Sequence, residues 1–404
     1  MTELPNKINH IQVKAFGKES GELTQPGHFA YQYTSQSPVS LTMNPQEEPY
    51  NHGALHPIFS QNLPEGYVRR YISEKLRRHV NVNDMYLLAL QQNNGIGHLS
   101  YASKIEKTDV GQLSLNEILN WKGKENLFHQ LLERYYLNGL VSGVQPKVLV
   151  NAVNDTAKPS IGRSLLQQED FIIKTYDDEF PLLTVNEYVC MEAARACDLA
   201  PSQCWLSDDL KTFITERFDE VDGKRLGIED FTVLMGKQGD EKYHSSYEML
   251  MKATYVFTKS DVQLKRMYKY IVFNCLIGNG DAHLKNFSVQ YEESRKDIIL
   301  TPPYDITHTL IYDTIDNKMA LKLNGAKLFP DKKQLIKLGK SYNVDKPEII
   351  IEEIAETIRD YLAISDEVKI IDGLKDSILS SVYCGTSEKY STKSYVHDKK
   401  KKFD

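Results

Sequence analysis

The stretch IVFNCLIGNGDAHLKNFS, residues 271–288, joins an apolar run to a Gly-Asn-Gly turn and then to several polar side chains. This order predicts that polar groups are presented at the end of a rigid element. Asp281 and Asn286 are separated by four residues, so one loop can offer a carboxylate to a hydroxyl group and an amide oxygen to a metal ion. Since Asn-Gly-Asp is also a common turn sequence, a simple turn stays open as the alternative.

A second acidic residue follows this loop. The strand-like Asp297–Leu300 leads through a Thr-Pro-Pro-Tyr segment to Asp305. An Asp-x4-Asn loop, a strand and a further Asp are the order in which protein-kinase-like phosphotransferases supply a base and two Mg²⁺ ligands. We therefore predict that Asp281 is the catalytic base and that Asn286 and Asp305 bind Mg²⁺.

Upstream features occur in the order that a nucleotide site of this kind requires. A loop that can bring backbone N–H groups to phosphates contains Ser142, Gly143, Val144, Gln145 and Lys147. Lys174 lies in the apolar strand Phe171–Tyr176, where a cation needs a partner. Glu187, on the predicted helix Pro181–Leu199, can be that partner, as in kinases. For the loop, a simple turn remains the alternative. For Lys174 and Glu187, the alternative is an ordinary half-buried ion pair.

The next predicted strand, Thr212–Phe218, ends in Glu-Arg-Phe-Asp. If this strand is the last of a nucleotide-binding lobe, its end is a hinge where Glu216, Phe218 and Asp219 contact adenosine. A strand that ends in a charged turn is the alternative. Beyond the hinge the pattern becomes mainly helical, beginning with a predicted helix at Ile228–Gly236.

Composition bounds the class of protein. With 404 residues, 41% hydrophobic and 26% charged, the chain has the composition of a globular protein with room for several domains. A net charge of −6 argues against a long nucleic-acid-binding face, so any DNA contact is expected to be local or made through a partner. The absence of a long apolar run and of a secretion signal predicts a cytoplasmic protein without membrane contact. The five cysteines contain no Cys-x2-Cys pair and are expected to be reduced thiols.

Changes in pattern predict four regions. Residues 1–104 form a β-rich module, in which Val39–Met43 is one of the predicted strands, and residues 105–219 form a lobe with the phosphate loop and the hinge. Residues 220–386 form a helical lobe. Residues 387–404, rich in lysine and serine, form a disordered basic tail.

Several strings along the chain resemble the HipA family, the serine/threonine kinase toxins of bacterial toxin–antitoxin pairs. In the two predicted lobes they are SGVQPK, FIIK, NEYVCMEAARA, ERFD, LIGNGDAHLKNFSV and LTPPYDI, and in the first module PVSLTM and NLPEG. The resemblance implies an α+β, bilobal, protein-kinase-like fold with a small N-terminal β-rich subdomain, a β-sheet N-lobe and a mostly helical C-lobe. It also implies that Lys174, Glu187, Asp281, His283, Asn286 and Asp305 take the family's roles with ATP and Mg²⁺.

The resemblance further implies partners and a form of self-regulation. The partner is expected to be a HipB-like helix-turn-helix antitoxin that carries most of the DNA binding, and the substrate a protein, with an aminoacyl-tRNA synthetase as candidate. Family members often autophosphorylate a serine in the phosphate loop, and here only Ser142 can serve, because the alternative position is Leu140. A lipid or small-molecule kinase, and a catalytically silent corepressor that binds an antitoxin, stay open as alternatives.

Overall fold

A computed structural model describes residues 5–77, 80–93, 95–103, 113–121, 127, 147–153, 168–175 and 180–387. The chain divides into two compact units. The first comprises Met1–Thr184, Gln203–Glu229 and Val289–Asp297, and the second Val185–Ser202, Asp230–Ser288 and Ile298–Asp404. The first unit thus includes both the predicted N-terminal module and most of the predicted N-lobe. Ser142, Gly143, Val144 and Gln145 of the predicted phosphate loop lie outside the described residues, as does the tail from residue 388 onward.

The N-terminal part of the first unit is built on an antiparallel sheet with the strand order β4-β3-β2-β1-β5. Its strands are β1 (His10–Ala15), β2 (Lys18–Thr24), β3 (Phe29–Tyr33), β4 (Tyr50–His52) and β5 (Leu99–Ala102). Along β1, Ile11, Val13 and Ala15 are buried and alternate with more exposed residues. This is the period of a strand with one face in a core.

The segment Val39–Met43, predicted as a strand, is irregular. Its backbone is held by side chains instead of a neighbouring strand. The Tyr33 hydroxyl accepts the Val39 N–H at 3.1 Å and donates to the Met43 carbonyl, and Glu229 accepts the Leu41 N–H at 2.7 Å. The prediction is wrong because apolar alternation does not reveal which distant side chains take the backbone hydrogen bonds.

A second sheet in the first unit has the strand order β6-β7-β8-β10-β9. Its strands are β6 (Leu113–Ser114), β7 (Lys147–Val153), β8 (Gln168–Thr175), β9 (Cys204–Leu206) and β10 (Thr212–Glu216). In the register of the three central strands, Lys174 lies opposite Lys147 on one side and Phe213 on the other. The predicted lysine strand is therefore the middle strand of this sheet.

The remaining elements of the first unit are short. Its helices are α1 (Pro57–Ser60), α2 (Gly66–Leu76), α3 (Asp84–Gln91) and α4 (Leu115–Leu119). The strands β11 (Glu220–Val221) and β12 (Lys224–Arg225) form a hairpin, and β13 (Gly227–Asp230) and β14 (Ser288–Tyr291) lie mostly in this unit. Asn83 begins α3 by accepting the N–H of Tyr86 at 2.9 Å, as an N-cap residue does.

The second unit is mainly helical. It contains most of α5 (Leu183–Ala196), then α6 (Phe231–Leu234), α7 (Tyr247–Thr258), α8 (Asp261–Ile277), α9 (Lys332–Ser341), α10 (Pro347–Ile364), α11 (Leu374–Thr386) and the short strand β15 (Ile299–Leu300). Helix α8 is buried along most of its length and packs against α7, α10 and α11. The apolar run of the opening stretch is thus the C-terminal half of a central helix.

The predicted helix Ile228–Gly236 is wrong in its first half. Residues 227–230 form strand β13, and helix α6 begins only after Asp230, whose side chain accepts the Val233 N–H at 2.9 Å. Asp230 is an N-cap, a position that favours Asp because the carboxylate satisfies a free backbone N–H. No helix in the described part of the chain is long and apolar enough to cross a membrane.

Candidate active site

Helix α8 ends at the loop that carries the predicted base. Gly278 closes the helix with φ +77°, a left-handed conformation that favours glycine. The Asn279 amide group donates to Asn274 Oδ1 at 2.7 Å and accepts the Asp281 N–H at 3.0 Å. Asn279 therefore links the backbone of Asp281 to the C-terminal end of α8, while the Asp281 side chain is exposed.

A threonine from the segment after Asp305 holds the same loop. Thr309 Oγ1 accepts the Gly280 N–H at 2.8 Å, and the Thr309 N–H donates to the Gly278 carbonyl at 3.1 Å. A Cβ atom on Gly280 would lie 2.6 Å from Thr309 Oγ1 and 2.7 Å from the Lys318 carbonyl oxygen. The packing therefore leaves no room for a side chain at the residue before Asp281.

Asp281 and His283 both contact Tyr243. The Tyr243 hydroxyl donates to Asp281 Oδ1 at 3.3 Å, and the rings of Tyr243 and His283 meet edge to face with centroids 5.1 Å apart. The His283 N–H donates to the Asp281 carbonyl at 2.7 Å. The loop is thus compact, with the carboxylate of Asp281 exposed and the ring of His283 buried.

The environment of His283 favours a neutral imidazole. Burial lowers the pKa of His283 to about 3, with the positive charges of Lys242 and Lys285 acting in the same direction and Asp305 opposing them. Its Nδ1 atom is buried and makes no hydrogen bond to the described residues. His283 can either neutralise phosphate charge or hold the shape of the loop, and a neutral, buried ring fits the second role better.

The two predicted metal ligands are neighbours. The Asn286 side-chain amide donates to the Asp305 carbonyl at 3.2 Å. Its oxygen, Oδ1, is buried and accepts no hydrogen bond from any described residue. Asp305 has φ +60°, a left-handed conformation that is uncommon outside glycine and is often found at functional sites.

This pair of oxygen donors fits Mg²⁺. Mg²⁺ prefers oxygen ligands and is usually bound through one or two carboxylates together with water and substrate phosphates. An unsatisfied buried amide oxygen is costly, and a cation would satisfy it. Within the described residues there is no cluster of three or more His, Cys, Asp or Glu side chains that could hold a metal.

Tyr304, the residue before Asp305, ties its segment to the loop. Its hydroxyl donates to the Lys285 carbonyl at 2.7 Å and also hydrogen-bonds the Ser288 hydroxyl. These contacts hold the segment that carries Asp305 beside the one that carries Asn286. The structure therefore brings together Asp281, His283, Asn286 and Asp305 within the second unit.

The predicted phosphate-binding pair lies on elements of different units. Lys174 on β8 is 3% exposed, and its Nζ lies 5.7 Å from the centroid of the Phe213 ring. Glu187 on α5 is 1% exposed. Lys147 begins β7, opposite Lys174. Each residue stands on the kind of element that was predicted, and the pairing of Lys174 with Glu187 stays a prediction.

At the predicted hinge, Glu216 ends β10 and Phe218 is half-buried. Asp219 differs from the prediction. It is buried and accepts hydrogen bonds from Arg217 Nε at 2.8 Å, from Arg217 Nη2 at 2.6 Å and from the Gly97 N–H at 2.6 Å. Burial would raise the pKa of Asp219, but Arg217 and the Gly97 N–H together hold it below its usual range. Because both carboxylate oxygens are engaged inside the first unit, we assign Asp219 a structural role instead of a ribose contact.

Comparison with known protein families identifies the chain. Residues 139–362 match the sequence profile of the HipA-like C-terminal domain, and residues 11–102 match that of the HipA N-terminal domain. The chain belongs to the HipA family. The resemblance seen in the sequence is therefore confirmed.

Relatives and a solved structure agree with this membership. The protein named "Putative kinase Y4mE" from Sinorhizobium fredii is 27% identical over 341 residues, which are 76% of this chain and 79% of that protein. A protein named "Putative kinase" from Haemophilus influenzae is 27% identical over 236 residues, covering 54% of this chain and 65% of that protein. HipA of Shewanella oneidensis, solved with HipB and operator DNA, superimposes with a TM-score of 0.68 at 20% identity, covering 92% of this chain and 96% of that one. The predicted α+β, kinase-like fold of the HipA family is confirmed.

Sequence reasoning missed several residues that shape the site of this HipA-family chain. Tyr243 and Thr309 contact the loop, and the segment that follows Asp305 is anchored by His308 and Asn186. For Asn186, the sequence did offer a local signal that it lies near the site, because it is adjacent to Glu187 in the string NEYVCMEAARA. Tyr243 lies 38 residues before Asp281 and belongs to no motif in the sequence.

Proposed function

We propose that this HipA-family protein is an ATP- and Mg²⁺-dependent serine/threonine protein kinase that acts as the toxin of a type II toxin–antitoxin pair. The observation that carries the proposal is the buried amide oxygen of Asn286, which accepts no hydrogen bond from the described residues. The Asn286 side chain contacts the backbone of Asp305. Asn286 also lies on the same loop as Asp281, whose side chain is exposed. A carboxylate open to solvent and two adjacent oxygen donors are the groups that phosphoryl transfer to a hydroxyl requires.

Each side chain has a role in this proposal. Asp281 orients the substrate hydroxyl and accepts its proton late in transfer. Asn286 and Asp305 would hold Mg²⁺, which, when bound, neutralises charge on the ATP phosphates. Lys174, oriented by Glu187, binds the α- and β-phosphates. His283 holds the loop in shape as a neutral ring.

The remaining nucleotide contacts follow the prediction with one change. Backbone N–H groups of the loop from Ser142 to Gln145, together with Lys147, cradle the phosphates, and Glu216 and Phe218 meet the adenosine. Asp219 is left out because its oxygens are engaged by Arg217 and Gly97. Ser142 is the candidate site of autophosphorylation.

The proposed partners are proteins. The HipA chain of similar fold was solved with HipB and operator DNA, and that supports a HipB-like helix-turn-helix antitoxin as partner here. The net charge of −6 supports DNA binding mainly through the antitoxin. The proposed substrate is a cellular protein, with an aminoacyl-tRNA synthetase as the first candidate, and we propose that the protein acts in the cytoplasm.

The test follows phosphate transfer from radiolabelled ATP after the protein is added to a whole-cell lysate. Intact-mass analysis of the purified chain shows whether the chain itself carries phosphate. We expect a labelled protein band that falls to a small residual level in Asp281→Asn, while that variant still binds ATP. The control is Asp372→Asn, because Asp372 is also an exposed aspartate. Label in lipid or small molecules only would favour the alternative kinase classes, and ATP-independent antitoxin binding without any label would favour a silent corepressor.

A further inference from the structure

The side chain of Tyr243 makes a hydrogen bond to the proposed base, Asp281. It is the last residue of a 3₁₀ turn, Gly239–Tyr243, that precedes α7. Its hydroxyl donates to Asp281 Oδ1 at 3.3 Å, and its ring meets the edge of the His283 ring. One side chain therefore contacts both Asp281 and His283.

The turn that carries Tyr243 is itself well anchored. Glu241 and Gln238 form a reciprocal cap at its start. Lys327 Nζ donates to the Tyr243 carbonyl at 3.4 Å, and the buried Lys242 places its Nζ 5.2 Å from the centroid of the Tyr243 ring. A ring that is already held in place loses little further conformational entropy when it forms a hydrogen bond. It can therefore hold another side chain in one rotamer.

Such a contact matters for Asp281. Its side chain is exposed, and a hydrogen bond to an exposed carboxylate favours one orientation of the carboxylate. A hydroxyl that donates to Oδ1 restricts the rotation of the carboxylate. A neutral donor also avoids the strong lowering of basicity that an adjacent cation would cause.

We propose that Tyr243 is a positioning residue that sets the orientation of the Asp281 carboxylate for proton acceptance. The proposal rests on the proposed function, because it takes Asp281 to be the base. The charges of Lys242, Lys285 and Asp305 act on His283. Tyr243 contacts the Asp281 carboxylate without adding charge.

The test compares Tyr243→Phe with the wild type in steady-state phosphate transfer by the full chain. Loss of one hydrogen bond that matters in the transition state should lower kcat by about fivefold to tenfold. The KM for ATP and the melting temperature should not change, because the ring that packs on His283 remains. Tyr243→Ala, which also removes the ring, should lose more. Tyr255→Phe is the matched control, since Tyr255 is an exposed tyrosine on α7.

A double-variant cycle shows whether Tyr243 acts through Asp281. In an Asp281→Asn background, Tyr243→Phe should leave the residual rate unchanged, because there is no carboxylate to orient. Equal kcat for wild type and Tyr243→Phe, or the same fold loss in both backgrounds, would overturn the positioning role alone. A wild type that transfers no phosphate would overturn the proposed function and this role with it.

Discussion

The side chain of Asn186 forms hydrogen bonds with both the N–H and the carbonyl of the His308 backbone. The Asn186 amide nitrogen donates to the His308 carbonyl at 2.9 Å, and the amide oxygen accepts the His308 N–H at 2.7 Å. The His308 ring contacts the Ile277 carbonyl through Nδ1 at 2.6 Å and the Ser377 hydroxyl through Nε2 at 2.7 Å. Because a carbonyl only accepts, Nδ1 carries a proton, and in the neutral ring Nε2 accepts from the Ser377 hydroxyl. These bonds join α5, the end of α8, α11 and the segment after Asp305 within the second unit.

Removing the Asn186 amide should destabilise the second unit. Asn186→Ala leaves the His308 N–H and carbonyl buried without these partners, and we expect a loss of about 2 to 5 kcal/mol in the free energy of unfolding. Urea denaturation measures it, with Asn317→Ala as the control because Asn317 is exposed. Equal midpoints for the two variants would contradict the structural importance of this contact.

Removing either proposed metal ligand should weaken Mg²⁺-dependent binding of ATP. We expect calorimetry to show a weaker affinity, by tenfold or more as an order of magnitude, in Asn286→Ala and in Asp305→Asn when Mg²⁺ is present. With EDTA, wild type and variants should bind ATP alike. Asp281→Asn serves as the comparison, since the base is expected to contribute little to binding. An Mg²⁺-dependent affinity that survives both changes would exclude these residues as ligands.

Changing Asp219 should affect stability and not nucleotide affinity. Asp219→Asn leaves the buried Arg217 guanidinium without its counter-charge, which should cost about 3 kcal/mol. The KM for ATP should stay at the wild-type value. The control is Asp222→Asn, because Asp222 is exposed in the turn between β11 and β12. A raised KM with unchanged stability would restore the ribose contact.

A methyl group at position 280 should disturb the loop. Gly280→Ala places a Cβ 2.6 Å from Thr309 Oγ1 and 2.7 Å from the Lys318 carbonyl oxygen, so the loop or the segments packed against it must shift. Because small displacements of a catalytic group are costly, we expect phosphate transfer to fall by about a hundredfold. Gly53→Ala is the control, since nothing lies within 4 Å of a Cβ there. Equal rates in both variants would show that the loop tolerates the shift.

His98 should make the first unit less stable in acid. Its ring stacks on Phe16 and contacts Tyr291, and burial, followed by the charge of Arg295, lowers the pKa of His98 to about 3. Between this value and the ordinary 6.5, the unfolded chain binds more protons than the folded one, so the free energy of unfolding falls as pH falls. From pH 7 to pH 5, His98 alone should cost about 2 kcal/mol.

His98→Phe tests this linkage because phenylalanine keeps an aromatic ring and does not titrate. The loss of stability between pH 7 and pH 5, measured by urea denaturation, should be about 2 kcal/mol smaller in the variant than in the wild type. The same pH dependence in both proteins would rule out His98 as a source of acid sensitivity.

Local sequence was enough to predict the parts of the site that are continuous in the chain. The end of α8, the turn at Gly278 and the residues Asp281 and Asn286 follow one another, and helix caps and turns depend on neighbours only a few residues apart. The order of strand Lys174, helix Glu187 and Asp305 was also readable, because Lys174 and Glu187 lie in segments with an apolar pattern and Asp305 follows a short predicted strand. Family membership followed from the same strings.

Contacts between distant segments were decided by the tertiary structure alone. Tyr243 reaches Asp281, Asn186 reaches His308 and Asp219 pairs with Gly97 across gaps of 38 to 122 residues. No local propensity encodes which side chain satisfies a buried polar group, since that depends on packing of the whole unit. The sequence therefore determined the order and chemical type of the proposed catalytic groups. Only the folded chain decided how they are held, because hydrogen bonds and close packing act between residues that are neighbours in space.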